Sequence, residues 1–297
     1  MEAGQRFMYP QIARGGVYDA AVFGTSTARL IDPKALDAVF PANFANLAMN
    51  AATPYEQTRL ARLFLQAGPA KAVLFALDAP WCGPDADRRL TALPFPDWLY
   101  EPTPSWGLLR QMNGQGVAAA ARVALYRLGL APERIRGDGY AVFTPPEDRY
   151  DPVRAAAYIR AGAVVPATAG GAPSSTGADG PMPALAWLDG LLAEMPADAL
   201  KLVAFMPVHV LAQGQPGTVQ GIREAACKAQ VAAIGRARGA LVVDFRLPSP
   251  VTTRDTNYWD ALHYRLPVAD RIVSGLAQAR ADGRDDPEGV YRVLARP

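Results

Sequence analysis

Short apolar segments alternate with amphipathic segments along most of the chain, and this alternation predicts the secondary structure. Apolar segments of strand length predict β-strands at residues 19–24, 42–50, 71–79, 199–208 and 240–247. Apolar residues recur every three or four positions at 33–40, 54–68, 218–238 and 268–281, which predicts helices there. Strands that alternate with helices are typical of a parallel sheet covered by helices on both faces. We therefore predict a three-layer α/β fold with a five-stranded parallel sheet.

Two of the predicted helices have recognisable boundary residues. Pro54 stands at the start of the helix at 54–68, and Gly68 stands at its end. Gly239 ends the helix at 218–238. In that helix, the helical period places five small or apolar residues on one face, namely Val219, Ile222, Ala226, Ala229 and Ala233.

The third and fourth predicted strands are separated by many more residues than an ordinary crossover needs. This interval runs from about Trp81 to Met182 and contains helical patterns at 114–130 and 151–162. It also contains a segment at 166–183 that is rich in Gly, Pro, Ser and Ala. We interpret the interval as an insertion, with one flexible loop, in a single domain that spans residues 1–297.

Charge and cysteine content exclude some classes of function. The formal net charge of +2 produces no strong field that would attract nucleic acid, and the chain has no dense cluster of Lys and Arg. Its two cysteines, Cys82 and Cys227, are far apart and lack the spacing of metal ligands. We expect two unpaired thiols, with a disulfide as the alternative.

The sequence contains no segment that indicates a membrane span or an export signal. No apolar run approaches the roughly 20 residues that a spanning helix needs. Residues 1–16 contain no apolar core of a signal peptide. The chain is therefore expected to be either cytosolic or attached to an anchor that it does not itself contain.

Ligands of open parallel sheets bind beyond the carboxyl ends of the strands, so the residues that follow the strands are the first candidates for function. These are Ser26 after the first strand, Asn50 and Ala51 after the second, Asp78 and Trp81 after the third, and His209 after the fourth.

The second histidine, His263, follows the fifth strand, and Asp260 precedes it by three residues. Residues i and i+3 share one face of a helical turn, so the carboxylate can accept a hydrogen bond from the imidazole and set its tautomer. The other imidazole nitrogen can then face a hydroxyl group. The neighbouring aromatic side chains of Tyr258, Trp259 and Tyr264 would partly exclude water.

Ser26 has three alternative roles. It follows a strand and precedes a short helix, where a serine can act as a nucleophile and its own N–H can stabilise an oxyanion. It can also simply cap the helix. Thirdly, the hydroxyl-rich turn resembles the phosphate-binding turn of flavodoxin-like proteins that bind FMN, but the glycine after the hydroxyl cluster is absent.

Two other kinds of site fit the sequence poorly. A metal site needs at least three protein ligands, and neither Asp78 nor His209 forms a recognisable ligand spacing with His263. In α/β-hydrolases the nucleophile lies in mid-sheet and the Asp and His lie on separate loops, whereas Ser26 follows the first strand here. We therefore predict a serine site with no metal and no cofactor.

These motifs resemble those of the SGNH (GDSL-like) hydrolase superfamily. The segment Gly24-Thr25-Ser26 matches the family's Gly-x-Ser motif, and Asp260-Ala261-Leu262-His263 matches its Asp-x-x-His motif. The segment NLAMNAAT, at 46–53, resembles the second block, with Ala51 in place of the oxyanion glycine. The third block is usually Gly-x-Asn and reads Ala76-Leu77-Asp78 here, so a carboxylate replaces the amide of the family's oxyanion hole.

The resemblance implies a flavodoxin-like strand order and acyl-ester chemistry. It covers roughly 18–78 and 199–297 and does not reach into the insertion. Ser26 would be the nucleophile, His263 the general base and Asp260 its orienting acid. The N–H groups of Ser26 and Ala51 would hold the oxyanion, and Asn50, Asp78 and Trp81 would lie near the oxyanion or the substrate.

The resemblance is strongest to branches linked to bacterial exopolysaccharide and cell-envelope O-acetylation. It implies a small acyl ester or an acylated glycan as substrate, and a periplasmic or membrane-anchored location. The alternative is a catalytically degenerate module of the same superfamily that binds a glycan or an envelope partner. The carboxylate at Asp78 favours that alternative, whereas the retained Ser26, Asp260 and His263 oppose it.

Overall fold

A computed structural model describes residues 3–87, 95–101, 114–131, 133, 135–163 and 180–297. This part of the chain contains eight α-helices and six β-strands. In chain order they are α1 (Ala3–Arg14), β1 (Ala20–Phe23), α2 (Pro33–Asp37), β2 (Phe44–Asn46), α3 (Pro54–Ala67), β3 (Ala72–Leu77), α4 (Gly114–Arg127), α5 (Pro152–Ala161), α6 (Ala184–Glu194), β4 (Leu200–Phe205), α7 (Val219–Arg238), β5 (Leu241–Asp244), α8 (Leu266–Asp282) and β6 (Arg292–Ala295).

The six strands form one mixed sheet in the order β2-β1-β3-β4-β5-β6. All neighbouring strands from β2 to β5 are parallel, and β6 is antiparallel to β5. The predicted α/β class is confirmed, but the sheet has six strands instead of five and is mixed instead of parallel. The sixth strand has only four residues and begins with the exposed Arg292, so its apolar pattern was too short to predict a strand.

Helices cover both faces of the sheet, and alternate residues of the central strands point into two separate cores. Phe23 and Phe75 stack in the core that α1, α3, α6 and α7 cover. Val22 and Leu74 point to the opposite core, which α2, α5 and α8 cover. Every residue of β1 and β3 is buried, as expected for strands with helices on both sides.

The buried face of α7 differs from the predicted face. Cys227, Val231 and Gly235 are buried, whereas Val219 and Ile222 are exposed. The reason is the close approach of α7 to β5, because a Cβ atom on Gly235 would lie 2.3 Å from Cγ2 of Val242. The alanine-rich sequence has a weak apolar period and did not indicate which face makes this approach. The predicted end of the helix at Gly239 is confirmed, with a φ of +63°.

Cys82 and Cys227 form a disulfide, so the expectation of two unpaired thiols is wrong. Cys82 follows β3, and Cys227 lies on the buried face of α7. The two residues are 145 positions apart, and their Cα atoms are 5.5 Å apart. Spacing in the sequence could not reveal this pair, because only the packing of α7 against the end of β3 brings the two thiols together.

The structure adds two helices, α1 and α6, and describes part of the insertion. Helix α1 was not predicted, and a buried ion pair between Arg6 and Glu56 joins it to α3. The helical patterns at 114–130 and 151–162 correspond to α4 and α5. Most of the predicted flexible loop, residues 166–179, lies outside the described residues. No helix in the described ranges is long and apolar enough to cross a bilayer.

Candidate active site

Ser26 lies in a tight turn at the carboxyl end of β1. The turn leaves the strand at Gly24, and Ser26–Ala28 then form one turn of 3₁₀ helix. A Cβ atom on Gly24 would lie 2.9 Å from the Cβ atoms of both Ala28 and Ala76, so the packing of the turn against β3 requires glycine. Thr25 and Thr27 are buried, whereas Ser26 is only half-buried and can be reached from outside.

Ser26, His263 and Asp260 form a continuous chain of hydrogen bonds. The Nε2 atom of His263 lies 2.9 Å from Oγ of Ser26, and its Nδ1 atom lies 2.7 Å from Oδ2 of Asp260. The fold therefore brings together two segments that are 237 positions apart. This geometry allows an imidazole to take a proton from a serine hydroxyl while a carboxylate orients the ring.

Backbone contacts keep Asp260 in its orientation. Its Oδ1 atom accepts hydrogen bonds from the N–H groups of Leu262, at 2.8 Å, and His263, at 2.9 Å. Burial raises the pKa of the Asp260 carboxyl, but the hydrogen bond and charge of His263, with these two N–H groups, outweigh it. The pKa of Asp260 therefore lies below its ordinary value. The carboxylate is ionised at neutral pH and can stabilise an imidazolium.

The loop after β2 lies against the Ser26 turn. The N–H of Met49 donates to the carbonyl oxygen of Gly24 at 3.0 Å, and the N–H of Asn50 donates to Oε1 of Gln5 on α1 at 2.9 Å. Ala51 has a φ of +49°, in the left-handed region that favours glycine. No acceptor within the described residues takes a hydrogen bond from the N–H of Ala51 or of Ser26. The hydrogen bonds to Gly24 and Gln5 thus fix the loop that carries Ala51 beside the Ser26 turn.

Asp78 is directed into the protein. It is buried and accepts hydrogen bonds from the hydroxyl groups of Thr25 and Thr27, with Thr27 Oγ1 at 2.9 Å. It also forms an ion pair with Arg246, in which Nη2 lies 3.0 Å from Oδ1. We expected Asp78 to lie beside the oxyanion, but it binds the two threonines of the turn instead. It can be buried there because Arg246 supplies the opposite charge.

Trp81 does not line the site, contrary to expectation. Its side chain has no exposed surface, and its Nε1 atom donates to Oε1 of Gln57 at 3.2 Å. The ring belongs to the core on the side of α3 because the chain turns inward after β3 and is held there by the disulfide of Cys82.

The insertion contributes an aromatic side chain that the sequence did not indicate. The ring of Phe143 packs edge-on against the imidazole of His263, with 5.4 Å between the ring centres. The guanidinium of Arg29 lies 4.6 Å from the centre of the Phe143 ring and donates to Oδ1 of Asn50 at 3.0 Å. Asn50 and Phe143 thus belong to one wall beside the imidazole.

The other histidine, His209, supports the loop that carries Asp260 and His263. His209 is buried, and the Nε2 atom of its ring lies 3.1 Å from Oδ1 of Asp255. Its backbone N–H donates to the carbonyl oxygen of Ala261 at 2.9 Å. Burial lowers the pKa of His209, and the nearby Asp255 offsets this effect only in part. His209 therefore positions the backbone between Asp260 and His263 from outside the hydrogen-bond chain.

The described part of the chain contains no group of three or more His, Cys, Asp or Glu side chains arranged to hold a metal ion. The chain has no significant match among protein-family models, curated proteins or solved structures. The likeness to SGNH hydrolases therefore depends on the sequence motifs and on the geometry of the site.

Proposed function

We propose that this protein is a serine-dependent acyl-ester hydrolase or O-acyltransferase of the SGNH type. The observation that carries the proposal is the hydrogen-bond chain from Ser26 through His263 to Asp260. Its position supports the proposal as well, because Ser26 and the Ala51 loop both lie at the carboxyl ends of parallel strands. The order β2-β1-β3-β4-β5 of these strands is compatible with a flavodoxin-like sheet to which β6 is added.

In the first half-reaction, Oγ of Ser26 attacks the carbonyl carbon of the ester while its proton passes to Nε2 of His263. The carbonyl oxygen becomes an oxyanion, and the N–H groups of Ser26 and Ala51 donate to it. The C–O bond to the alcohol then breaks, and the imidazolium returns the proton to the leaving oxygen. The product is an acyl-enzyme on Ser26 and a free alcohol.

In the second half-reaction, His263 accepts a proton from water or from an acceptor hydroxyl, which attacks the acyl carbon. The bond to Ser26 breaks, and the proton moves from the imidazolium to Oγ. Attack by water releases a carboxylic acid, whereas attack by a sugar hydroxyl transfers the acyl group. We propose a small acyl ester or an acylated carbohydrate as substrate, with Phe143 forming part of the wall at the imidazole.

The disulfide supports an oxidising location for this protein. Disulfides persist in extracellular and periplasmic proteins and are rare in the reducing cytosol. The bond between Cys82 and Cys227 is thus compatible with the exported location that the resemblance implies.

The alternative function is a non-catalytic module that binds a glycan or an envelope partner. The inward direction of Asp78 favours it, because position 78 then presents no donor to an oxyanion, whereas SGNH hydrolases have an amide there. One such donor contributes roughly 3–4 kcal/mol to stabilisation of the transition state. The two functions differ in one property, which is the reactivity of Ser26.

Turnover of p-nitrophenyl acetate and labelling with a fluorophosphonate test the proposal. The wild-type protein should hydrolyse the ester and take up the label, and Ser26→Ala and His263→Ala should do neither. Ser274→Ala changes an exposed serine on α8 and serves as the matched control. A folded wild-type protein that neither turns over the ester nor reacts with the label would leave only the binding function.

A further inference from the structure

Three consecutive hydroxyl residues form the turn after β1, and the proposed mechanism uses only the middle one. The flanking residues Thr25 and Thr27 are 7% and 6% exposed. Both hydroxyl groups donate to Asp78, and Oγ1 of Thr27 lies 2.9 Å from each carboxylate oxygen. The two threonines therefore connect the backbone on either side of Ser26 to one buried carboxylate.

Arg246, at the end of β5, fixes that carboxylate from the opposite side. Its side chain is 3% exposed, and its Nη2 atom lies 3.0 Å from Oδ1 of Asp78. The guanidinium also donates to the carbonyl oxygens of Leu77, at 3.1 Å, and Met206, at 3.0 Å. Arg246 thus joins the ends of β3, β4 and β5, and a buried charge of this kind needs its partner. The carboxylate is consequently held in one orientation.

The same turn is connected to the loop that carries His263. The hydroxyl of Tyr264, a fully buried residue next to His263, donates to the carbonyl oxygen of Thr27. Thr27 therefore contacts Asp78 through its side chain and Tyr264 through its backbone. The residue after Ser26 (Thr27) and the residue after His263 (Tyr264) are therefore held in the same hydrogen-bonded cluster as Asp78.

We propose that Asp78 and Arg246 form a positioning pair that holds Ser26 in register with His263 by binding the hydroxyl groups of Thr25 and Thr27. The inference rests on the proposed function, since it concerns the reactivity of Ser26. Asp78 touches neither the substrate nor the reacting atoms. In SGNH hydrolases an amide at this position contacts the oxyanion. Here the carboxylate of Asp78 positions the nucleophile instead.

The need for such a device follows from the geometry of proton transfer. Oγ of Ser26 must stay within about 3 Å of Nε2 of His263 while it points at the acyl carbon, and an error of about 1 Å can lower a rate about 100-fold. A short turn of 3₁₀ helix has few hydrogen bonds of its own. The two threonine hydroxyls supply the missing restraints.

The experiment compares two double variants that differ in whether they keep the two hydroxyl groups. Thr25→Val with Thr27→Val removes both hydroxyls and leaves the Asp78–Arg246 pair intact, whereas Thr25→Ser with Thr27→Ser keeps a donor at both positions. Thr58→Val is the matched control, because it removes a buried hydroxyl of α3 that has no hydrogen-bond partner among the described residues. Folding of each variant is checked by circular dichroism.

The measured quantities are kcat and KM for p-nitrophenyl acetate, the rate of fluorophosphonate labelling and the pH profile of both. The valine variant should lose about 10- to 100-fold in kcat and in labelling rate, with KM and the midpoint of the pH profile unchanged. The serine variant should recover most of the rate, and Thr58→Val should match the wild-type protein.

Three results would overturn the proposal. One is a folded valine variant that reacts at the wild-type rate. The second is an Asp78→Asn variant that is faster than the wild-type protein, since that would mean that position 78 faces the oxyanion. The third is a folded wild-type protein that takes up no label, and this result alone would also overturn the proposed function.

Discussion

Ala51 adopts a left-handed backbone conformation, which is unfavourable for alanine. Its N–H is one of the two proposed oxyanion donors. Its φ is +49°, and the hydrogen bond from the N–H of Asn50 to Gln5 holds the loop in that shape. Strain of this kind persists only where the surroundings enforce it. The sequence located Ala51 by its likeness to a glycine position, but the supporting contact from α1 had no signal in the pattern.

Replacing Ala51 by glycine should raise the free energy of unfolding by about 0.5–1 kcal/mol. Relief of the left-handed strain contributes roughly 1–2 kcal/mol, and the greater freedom of glycine in the unfolded chain offsets part of it. Urea denaturation measures the change. Ala51→Val should lower the free energy of unfolding, because a branched Cβ fits this conformation poorly. A valine variant more stable than the wild-type protein would contradict the left-handed conformation of residue 51.

Asp260 should make the free energy of unfolding depend on pH in the acid range. Its pKa is lowered in the folded protein, so its stabilising contribution is fully present above the ordinary value of 3.8 and is lost as the pH falls through the lower folded value. The stability difference between the wild-type protein and Asp260→Asn should therefore shrink as the pH falls below about 4. A difference that grows below about pH 4 in urea titrations would contradict this sign.

Among the elements, β3 and α7 are joined more firmly than their sequences suggest. The disulfide between Cys82 and Cys227 joins the segment after β3 to α7, and Arg223 on α7 also donates to the carbonyl oxygen of Cys82 at 2.6 Å. Five of the six strands and six of the eight helices in the described residues could be predicted, because their apolar patterns are long enough to recognise. The disulfide and the buried face of α7 could not, because they depend on how two distant elements pack.

Removal of the disulfide should destabilise the protein by about 4–5 kcal/mol, because the bond closes a loop of 145 residues in the unfolded chain. Cys82→Ser with Cys227→Ser should show this loss in urea denaturation. Since these are the only cysteines in the sequence, dithiothreitol should lower the stability of the wild-type protein and have no effect on the double variant. Equal stability of the wild-type protein with and without the reductant would show that the bond does not form.

The insertion should influence the rate of ester hydrolysis through the ring of Phe143, which packs against His263. Phe143→Ala removes the contacts with His263 and Arg29, each worth about 0.5–1 kcal/mol, and should lower kcat/KM for p-nitrophenyl acetate about fivefold or more. Val142→Ala changes the exposed neighbouring residue and serves as the control. An unchanged kcat/KM in Phe143→Ala would mean that the insertion takes no part in the chemistry of this ester.

The fold assembles one site from segments at both ends of the chain. Ser26 was found from the sequence because it follows a predicted strand, and His263 and Asp260 were found from their spacing. The roles of Asp78 and Arg246 could not be predicted, because the carboxylate could face either the substrate or the interior. Only the positions of β3 and β5 in the sheet bring Arg246 close enough to turn it inward.

Mass spectrometry of the protein after reaction with a fluorophosphonate tests whether Ser26 is the nucleophile. We expect one adduct per chain, mapped to the peptide that contains Ser26, and no adduct when His263 is replaced by alanine. A folded protein that remains unmodified, or an adduct on another residue with Ser26 unmodified, would contradict it.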